Sequence, residues 1–349
     1  MPELSLMVAR PLGFMVLAFI LSVLLMPLLI RALKRLGMGK TIRDAASAPV
    51  MAALHKAKAG TPVMGGIMIW GIALFLAGLG GGLCWIFGNG WCDLTFLSRG
   101  QTLLPLGSLL GAALVGLVDD YLNVKKIGPK GGGLRMRYKI LSYLLVAAIG
   151  AWWFYAKLGW DQVHVPFVGT FEIGWWYIPF FILVITSTSY SVNETDGLDG
   201  LAGGSLLAAF GAYLMIAYGQ GRTDLAVLCA VVIGALLGFL WFNVNPASVF
   251  MGDTGSMSLG TLLGVVACMT NQPLLLLIIG LPFVVQSGSV LLQVASKKLR
   301  HGKKIFLSSP IHHHFQALGW PEQQIVMRFW LISFICAGVG AVIALVDLV

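Results

Sequence analysis

Acidic residues are scarce in this chain, and several of them gather in three short segments. Asp119 and Asp120 are adjacent. Asp196 and Asp199 lie in Asn193-Glu194-Thr195-Asp196-Gly197-Leu198-Asp199-Gly200, and Asp253 lies in Phe250-Met251-Gly252-Asp253-Thr254-Gly255-Ser256. Those five are drawn from only 14 acids in 349 residues. Carboxylates are the oxygen ligands a hard divalent cation takes. Lysines and helix N-terminal amides nearby would receive a phosphate. A metal and a phosphate, handled together, is the chemistry these residue types allow.

Each motif also has a plainer reading. The two Asp-Gly steps at 196 and 199 could simply turn the chain and cap a helix. Asp253 could be an N-cap, and no GKS/T follows to make a P-loop. Asp119-Asp120 ends an apolar run, where the helix dipole disfavours negative charge by up to about 1 kcal/mol. An acid pair placed there, followed by lysines, suits Mg²⁺ binding or proton transfer. His312-His313-His314 are too close in sequence to share one metal, but suit phosphate contact or proton transfer. Lys58-Ala59-Gly60-Thr61-Pro62 precedes an apolar run, as a snorkelling lysine at a turn or as a cation beside backbone amides.

The elements that position these residues must cross a membrane. The chain is 58% hydrophobic and 11% charged, whereas soluble domains are about a quarter charged. Ten apolar segments stand out, at 11–31, 62–82, 101–118, 140–157, 174–191, 200–218, 225–242, 254–270, 273–296 and 325–347. We expect an all-α polytopic membrane protein, one domain over 1–349, with about ten transmembrane helices. The first segment has no basic stretch before it and no cleavage site after it, so it reads as a retained span. The ninth carries Pro282, Gln286, Ser287, Ser289 and Gln293, which predicts either a kinked packing helix or the wall of a lipid-access groove.

Charge sets the orientation. Eighteen of the 23 basic residues fall in three loops, at 31–58, 125–139 and 297–304. The positive-inside rule places those loops in the cytoplasm and both termini outside. All three carboxylate clusters then lie on the cytoplasmic side. The net charge of +9 reflects this topology, not nucleic-acid binding. Five cysteines without a CxxC or Cys/His pattern argue against structural zinc. Cys84 and Cys92 share an outer loop, as a disulfide or as two free thiols. Acids for a metal, lysines for a diphosphate and a membrane groove together suggest phosphoryl transfer to a lipid phosphate. A transporter is the rival class, but its ionisable groups would sit near mid-membrane on broken helices.

The motifs HxxKxGTPxMGG (His55 to Gly66), VDD (Val118 to Asp120), NxTDGLDGLA (Asn193 to Ala202), FNxxPAxVFMGDTGS (Phe242 to Ser256) and PxHHHF (Pro310 to Phe315) occur in this order. In them the whole chain resembles the phospho-N-acetylmuramoyl-pentapeptide transferases of the bacterial inner membrane. Relatives that transfer N-acetylglucosamine phosphate to a polyprenyl phosphate share the acids and are the alternative. The resemblance implies two substrates, UDP-N-acetylmuramoyl-pentapeptide and undecaprenyl phosphate, with Mg²⁺ as cofactor and membrane lipid as surroundings. It also implies a homodimer, as family members often form. Asp253 would hold Mg²⁺, with Asp119, Asp120 and His312 at the catalytic centre. Lys58, Thr61, Asn193, Asp196, Asn243, Gln293, His313 and His314 would line the substrate site, with Phe250 and Asp199 near the nucleoside. Lys125 and Lys139 are looser matches. Two departures stand out: Val63 replaces a usual threonine, and Gln316 a usual glutamate.

Overall fold

A computed structural model describes residues 2–40, 58–128 and 132–348, and the side chains of these except 2–7 and 89. His55, Lys56 and Lys130 of the basic loops lie outside the described residues. Among the described residues thirteen α-helices follow in order: α1 Pro2–Arg35, α2 Gly66–Phe87, α3 Asn89–Cys92, α4 Leu103–Val124, α5 Met136–Trp152, α6 Tyr177–Thr195, α7 Leu201–Gly219, α8 Thr223–Asn243, α9 Asp253–Met269, α10 Leu276–Ile279, α11 Leu281–Leu299, α12 Ile311–Ala317 and α13 Glu322–Val346. A π turn, Trp153–Lys157, extends α5. Nine of the ten apolar segments each overlap one long helix, and the segment 273–296 is divided between α10 and α11.

Seven helical stretches are long and apolar enough to cross a membrane, counted among the described residues. They are Val8–Arg35 of α1, α2, α4, Met136–Lys157, α7, α8 and α13. The chain is therefore a multi-pass α-helical membrane protein. The other three long helices, α6, α9 and α11, are shorter or more polar, and their polar groups bond one another. Ser191 Oγ meets Ser287 Oγ at 2.7 Å, Ser189 Oγ donates to the Met257 carbonyl at 3.0 Å, and Thr261 Oγ1 donates to Ser189 Oγ at 3.2 Å. Polar groups at membrane depth must be satisfied inside the protein, and this pairing does so.

Helix α9 is the axis of the fold: every residue from Thr254 to Met269 is buried. It can be so enclosed because its neighbours approach on glycine. A Cβ on Gly66 would fall 2.2 Å from the Gly255 Cα, and one on Gly116 would fall 2.4 Å from the Asp253 carbonyl oxygen. The second contact brings the end of α4 against the start of α9, and with it Asp119 and Asp120 against Asp253.

In the ninth segment the chain breaks at Gly280, between α10 and α11. Pro282 sits in the first turn of α11, where a missing N–H leaves no intrahelical bond unmade, so it starts a helix instead of kinking one. Outside the helices, β1 Gln162–Val165 and β2 Gly169–Glu172 pair antiparallel, with Gln162 opposite Glu172 and Val165 opposite Gly169. An all-α expectation did not include this hairpin. Asp347, beyond α13, holds it through His164 Nε2 and the Phe167 N–H.

Cys84 and Cys92 are disulfide-bonded, whereas Cys229, Cys268 and Cys336 are free. Thiol titration of the unreduced, denatured protein should count three thiols, rising to five after reduction; five before reduction would show the bond absent.

Candidate active site

Two side-chain centres face each other where α4, α6 and α9 meet the long loops. The first is built on Lys139, in the first turn of α5. Its ammonium lies 2.6 Å from Asp119 Oδ2 and 2.7 Å from Asp253 Oδ2. Asp119 Oδ1 also accepts the Leu134 N–H at 2.5 Å. Asp253 Oδ1 accepts from Asn193 Nδ2 at 2.6 Å, and that amide also donates to Ser256 Oγ at 2.8 Å. Four elements thus converge on two carboxylates. Asp119 is buried.

Asp120 does something different. Its Oδ1 accepts the Asp253 N–H at 2.9 Å and its Oδ2 the Thr254 N–H at 3.0 Å. It caps α9 from a neighbouring helix, joining two orphan donors to a charge that suits a helix N-terminus. Gly252, at φ 76°, is required twice over at this junction. L side chains rarely adopt that backbone, and a Cβ there would fall 2.5 Å from Asp120 Oδ2.

The second centre rests on a backbone layer. The Val63 N–H donates to the Met38 carbonyl, the Lys40 N–H to that of Thr61, the Phe250 N–H to that of Pro62 and the Gly65 N–H to that of Phe250, at 2.7–2.9 Å. This layer places Lys40 Nζ 4.5 Å and Lys58 Nζ 5.9 Å from the centroid of the Phe250 ring. Lys58 also pairs with Asp199 Oδ1 and Glu322 Oε1, each at 2.6 Å. Asp199 Oδ2 is held by Asn245 Nδ2 at 2.9 Å and the Ala247 N–H at 3.2 Å. Asp196 lies between the centres. Burial pushes it up to about 7, with Lys40 opposing and Asp253 adding. Burial likewise lowers Lys40 from the usual lysine range, against the pull of Asp196.

The histidines lie on α12. His312 is fully buried and its Nδ1 donates to Gln286 Oε1 at 2.9 Å. Its ring fills the space where a Cβ on Gly197 would stand, which ties it to the Asp196 loop. His313 Nδ1 donates to Gln316 Oε1 at 2.8 Å, and burial pushes His313 down to about 4, so it is neutral at pH 7. The departure Gln316 therefore meets His313 as an uncharged acceptor. His314 Nδ1 accepts the Leu307 N–H at 3.2 Å.

Other expected site residues serve the backbone. Asn243 accepts the Gly200 N–H and donates to the Val249 carbonyl. Gln293 takes the Ile305 and Phe306 N–H groups and donates to the Phe306 carbonyl. Both hold loops that carry other site residues. Thr61 enters through its backbone, in the layer under Phe250. Lys125 is exposed, its ammonium 6.0 Å from the Tyr121 ring, and the structure does not bring it to the carboxylates. Sequence reasoning missed Glu322 and Gln286 as site residues and used Lys40 only for topology. The scarcity of acids was a signal for Glu322, and a buried glutamine in an apolar helix was one for Gln286.

Among the described residues no three or more carboxylate, imidazole or thiol groups form a ready cage for a metal ion. The donor set nonetheless fits Mg²⁺. This ion is commonly held by one or two carboxylates together with water and substrate phosphates, and here two carboxylate oxygens already share one cation, the Lys139 ammonium.

Comparison with known proteins decides the family. A phospho-N-acetylmuramoyl-pentapeptide-transferase of Geobacillus thermodenitrificans is 40% identical over 344 residues, covering 97% of this chain and 98% of the relative. The chain belongs to this family. The family's protein from Desulforamulus reducens is 41% identical over 93% of this chain and 92% of its own length, and that from Syntrophus aciditrophicus 39% over 92% and 88%. Residues 102–271 also match the model of glycosyl transferase family 4. Within this family, all three acid clusters of the present chain fall at helix ends around α9.

Proposed function

We propose that the protein transfers phospho-N-acetylmuramoyl-pentapeptide from its UDP-linked form to undecaprenyl phosphate, giving lipid I and UMP. The observation that carries this reading is the joining of Asp119 and Asp253 through Lys139, beside the Lys40 and Lys58 shelf over Phe250, in a chain of this family. An oxygen of the lipid phosphate bonds to the sugar-linked phosphorus while that phosphorus loses its bond to UMP. Negative charge gathers on both phosphates, so cations and fixed donors matter most.

Asp253 would hold Mg²⁺, which supplies charge neutralisation on the diphosphate. Lys139 adds a second positive charge at Asp253 and Asp119. Asn193 fixes the Asp253 rotamer through one oxygen. Asp119 orients the acceptor phosphate or takes its proton. Lys40, Lys58 and Phe250 offer a flat ring with two ammonium groups to a nucleotide, and Asp199 and Glu322 fix the lysine. His312, braced by Gln286, borders the Asp196 loop.

The test is to incubate purified protein with UDP-N-acetylmuramoyl-pentapeptide and undecaprenyl phosphate, with and without Mg²⁺, and to look for lipid I. Transfer from UDP-N-acetylglucosamine instead would support the relatives' reaction. No Mg²⁺-dependent product from either donor would refute the transferase reading.

The same proposal sets ten spans in the bacterial inner membrane, both termini outside and the site facing the cytoplasm, on the basic-loop asymmetry. His301→Cys should label only from the cytoplasm and Val168→Cys only from outside. Labelling of position 301 from outside would overturn the orientation.

A further inference from the structure

Tyr143 lies on α5 one turn beyond Lys139, so both point from the same helix face. The residue is 3% exposed, and its hydroxyl has no hydrogen-bond partner among the described residues. It is nonetheless within electrostatic range of Asp253, Lys139, Asp119 and Glu194. Buried hydroxyls are almost always bonded, and an unmade bond costs about 1–3 kcal/mol. A phenylalanine would fill the same space without that cost. The hydroxyl is best explained by a partner that arrives with a substrate.

Two phosphates could be that partner: the donor's from the cytosol, or the acceptor's from the bilayer. The 132–134 segment, which the proposed orientation sets on the cytosolic side, covers Asp119 Oδ1. The Leu134 N–H sits on Asp119 Oδ1, and a Cβ on Gly133 would lie 3.2 Å from the same oxygen. Helix α5 runs away from that segment, so Tyr143 is about 6 Å deeper toward the bilayer than Lys139.

We propose that the Tyr143 hydroxyl donates a hydrogen bond to the phosphate of the polyprenyl acceptor, on the bilayer side of the carboxylate pair. The inference rests on the transferase reading and its orientation. It gives the site a neutral donor that selects a lipid phosphate monoester, next to the Lys139 charge. No bond to the nucleotide is involved.

The experiment compares the full-length protein with its Tyr143→Phe variant. The Michaelis constant for undecaprenyl phosphate should rise about tenfold or more, the scale of one lost bond to a charged partner, while that for the UDP-linked donor stays unchanged. Native mass spectrometry with undecaprenyl phosphate alone should show binding weakened in parallel. The thermal midpoint should not fall, because the change removes an unbonded buried hydroxyl. A purely structural tyrosine would instead lower the midpoint and leave the acceptor constant unmoved. Unchanged acceptor constant and binding would overturn the proposal, as would a shift confined to the donor. If the wild type makes no lipid I, the transferase reading fails, and the binding measurement still decides whether Tyr143 holds a lipid phosphate.

Discussion

Asp253→Asn should abolish lipid I formation, by about 10³-fold or more, and leave the protein folded. The loss follows from its two oxygens. One accepts from Asn193 Nδ2 and the other from the Lys139 ammonium. An amide offers a single oxygen, so its NH₂ must face one of these donors. Its oxygen is also a neutral, weaker ligand for a hard cation. Removing one fixed group of this kind from a transition state costs about 10²–10³-fold by itself. Raising Mg²⁺ should recover little, and the thermal midpoint should stay close to wild type, since the helix cap above involves only the Asp253 backbone. Asp119→Asn should be severely impaired too, with unaltered Mg²⁺ dependence. It should recover as pH rises above about 8, where a phosphate with a second pKa near 6 is already dianionic. A raised Mg²⁺ requirement without pH recovery would make Asp119 a ligand and not a proton acceptor.

Asp120→Ala should lose activity and stability together. Both Asp120 oxygens bond N–H groups at the start of α9, and bonds to a charged group are worth about 1.5–3 kcal/mol each. Two buried donors would be left without partners, at the point where Asp253 is aimed. The thermal midpoint should fall by several degrees, and amide exchange at residues 253 and 254 should accelerate. Asp120→Asn, which keeps an acceptor for one N–H, should fall between. An Asp120→Ala protein with wild-type stability and slow exchange, but a raised Mg²⁺ requirement, would show that Asp120 binds the ion directly. The two adjacent acids would then share one role, against the geometry.

Adjacent letters in the sequence can thus hide opposite duties. Asp119 and Asp120 read alike because a sequence gives type and spacing but not direction. On a helix, neighbours point about 100° apart. One carboxylate therefore turns to Lys139 and the other to the α9 amides. The resemblance implies Asn243 and Gln293 as site residues, and the structure adds that their amides bond the backbone of neighbouring loops. Glu322 shows the reverse. It lies 264 positions from Lys58, and no local pattern connects them.

Apolar length and the ordered motifs by themselves determined a polytopic helical chain and its family. The helical spans are a property of composition, because a bilayer selects about 20 apolar residues per span wherever they occur. Tertiary structure alone decided which acids face a cation and which cap a helix, that Lys139 joins the carboxylates while Lys125 does not, and that the ninth segment breaks at Gly280. Those outcomes depend on how closely helices approach. That approach is set by contacts such as Gly116 on Asp253 and Gly66 on Gly255, between residues far apart in the chain.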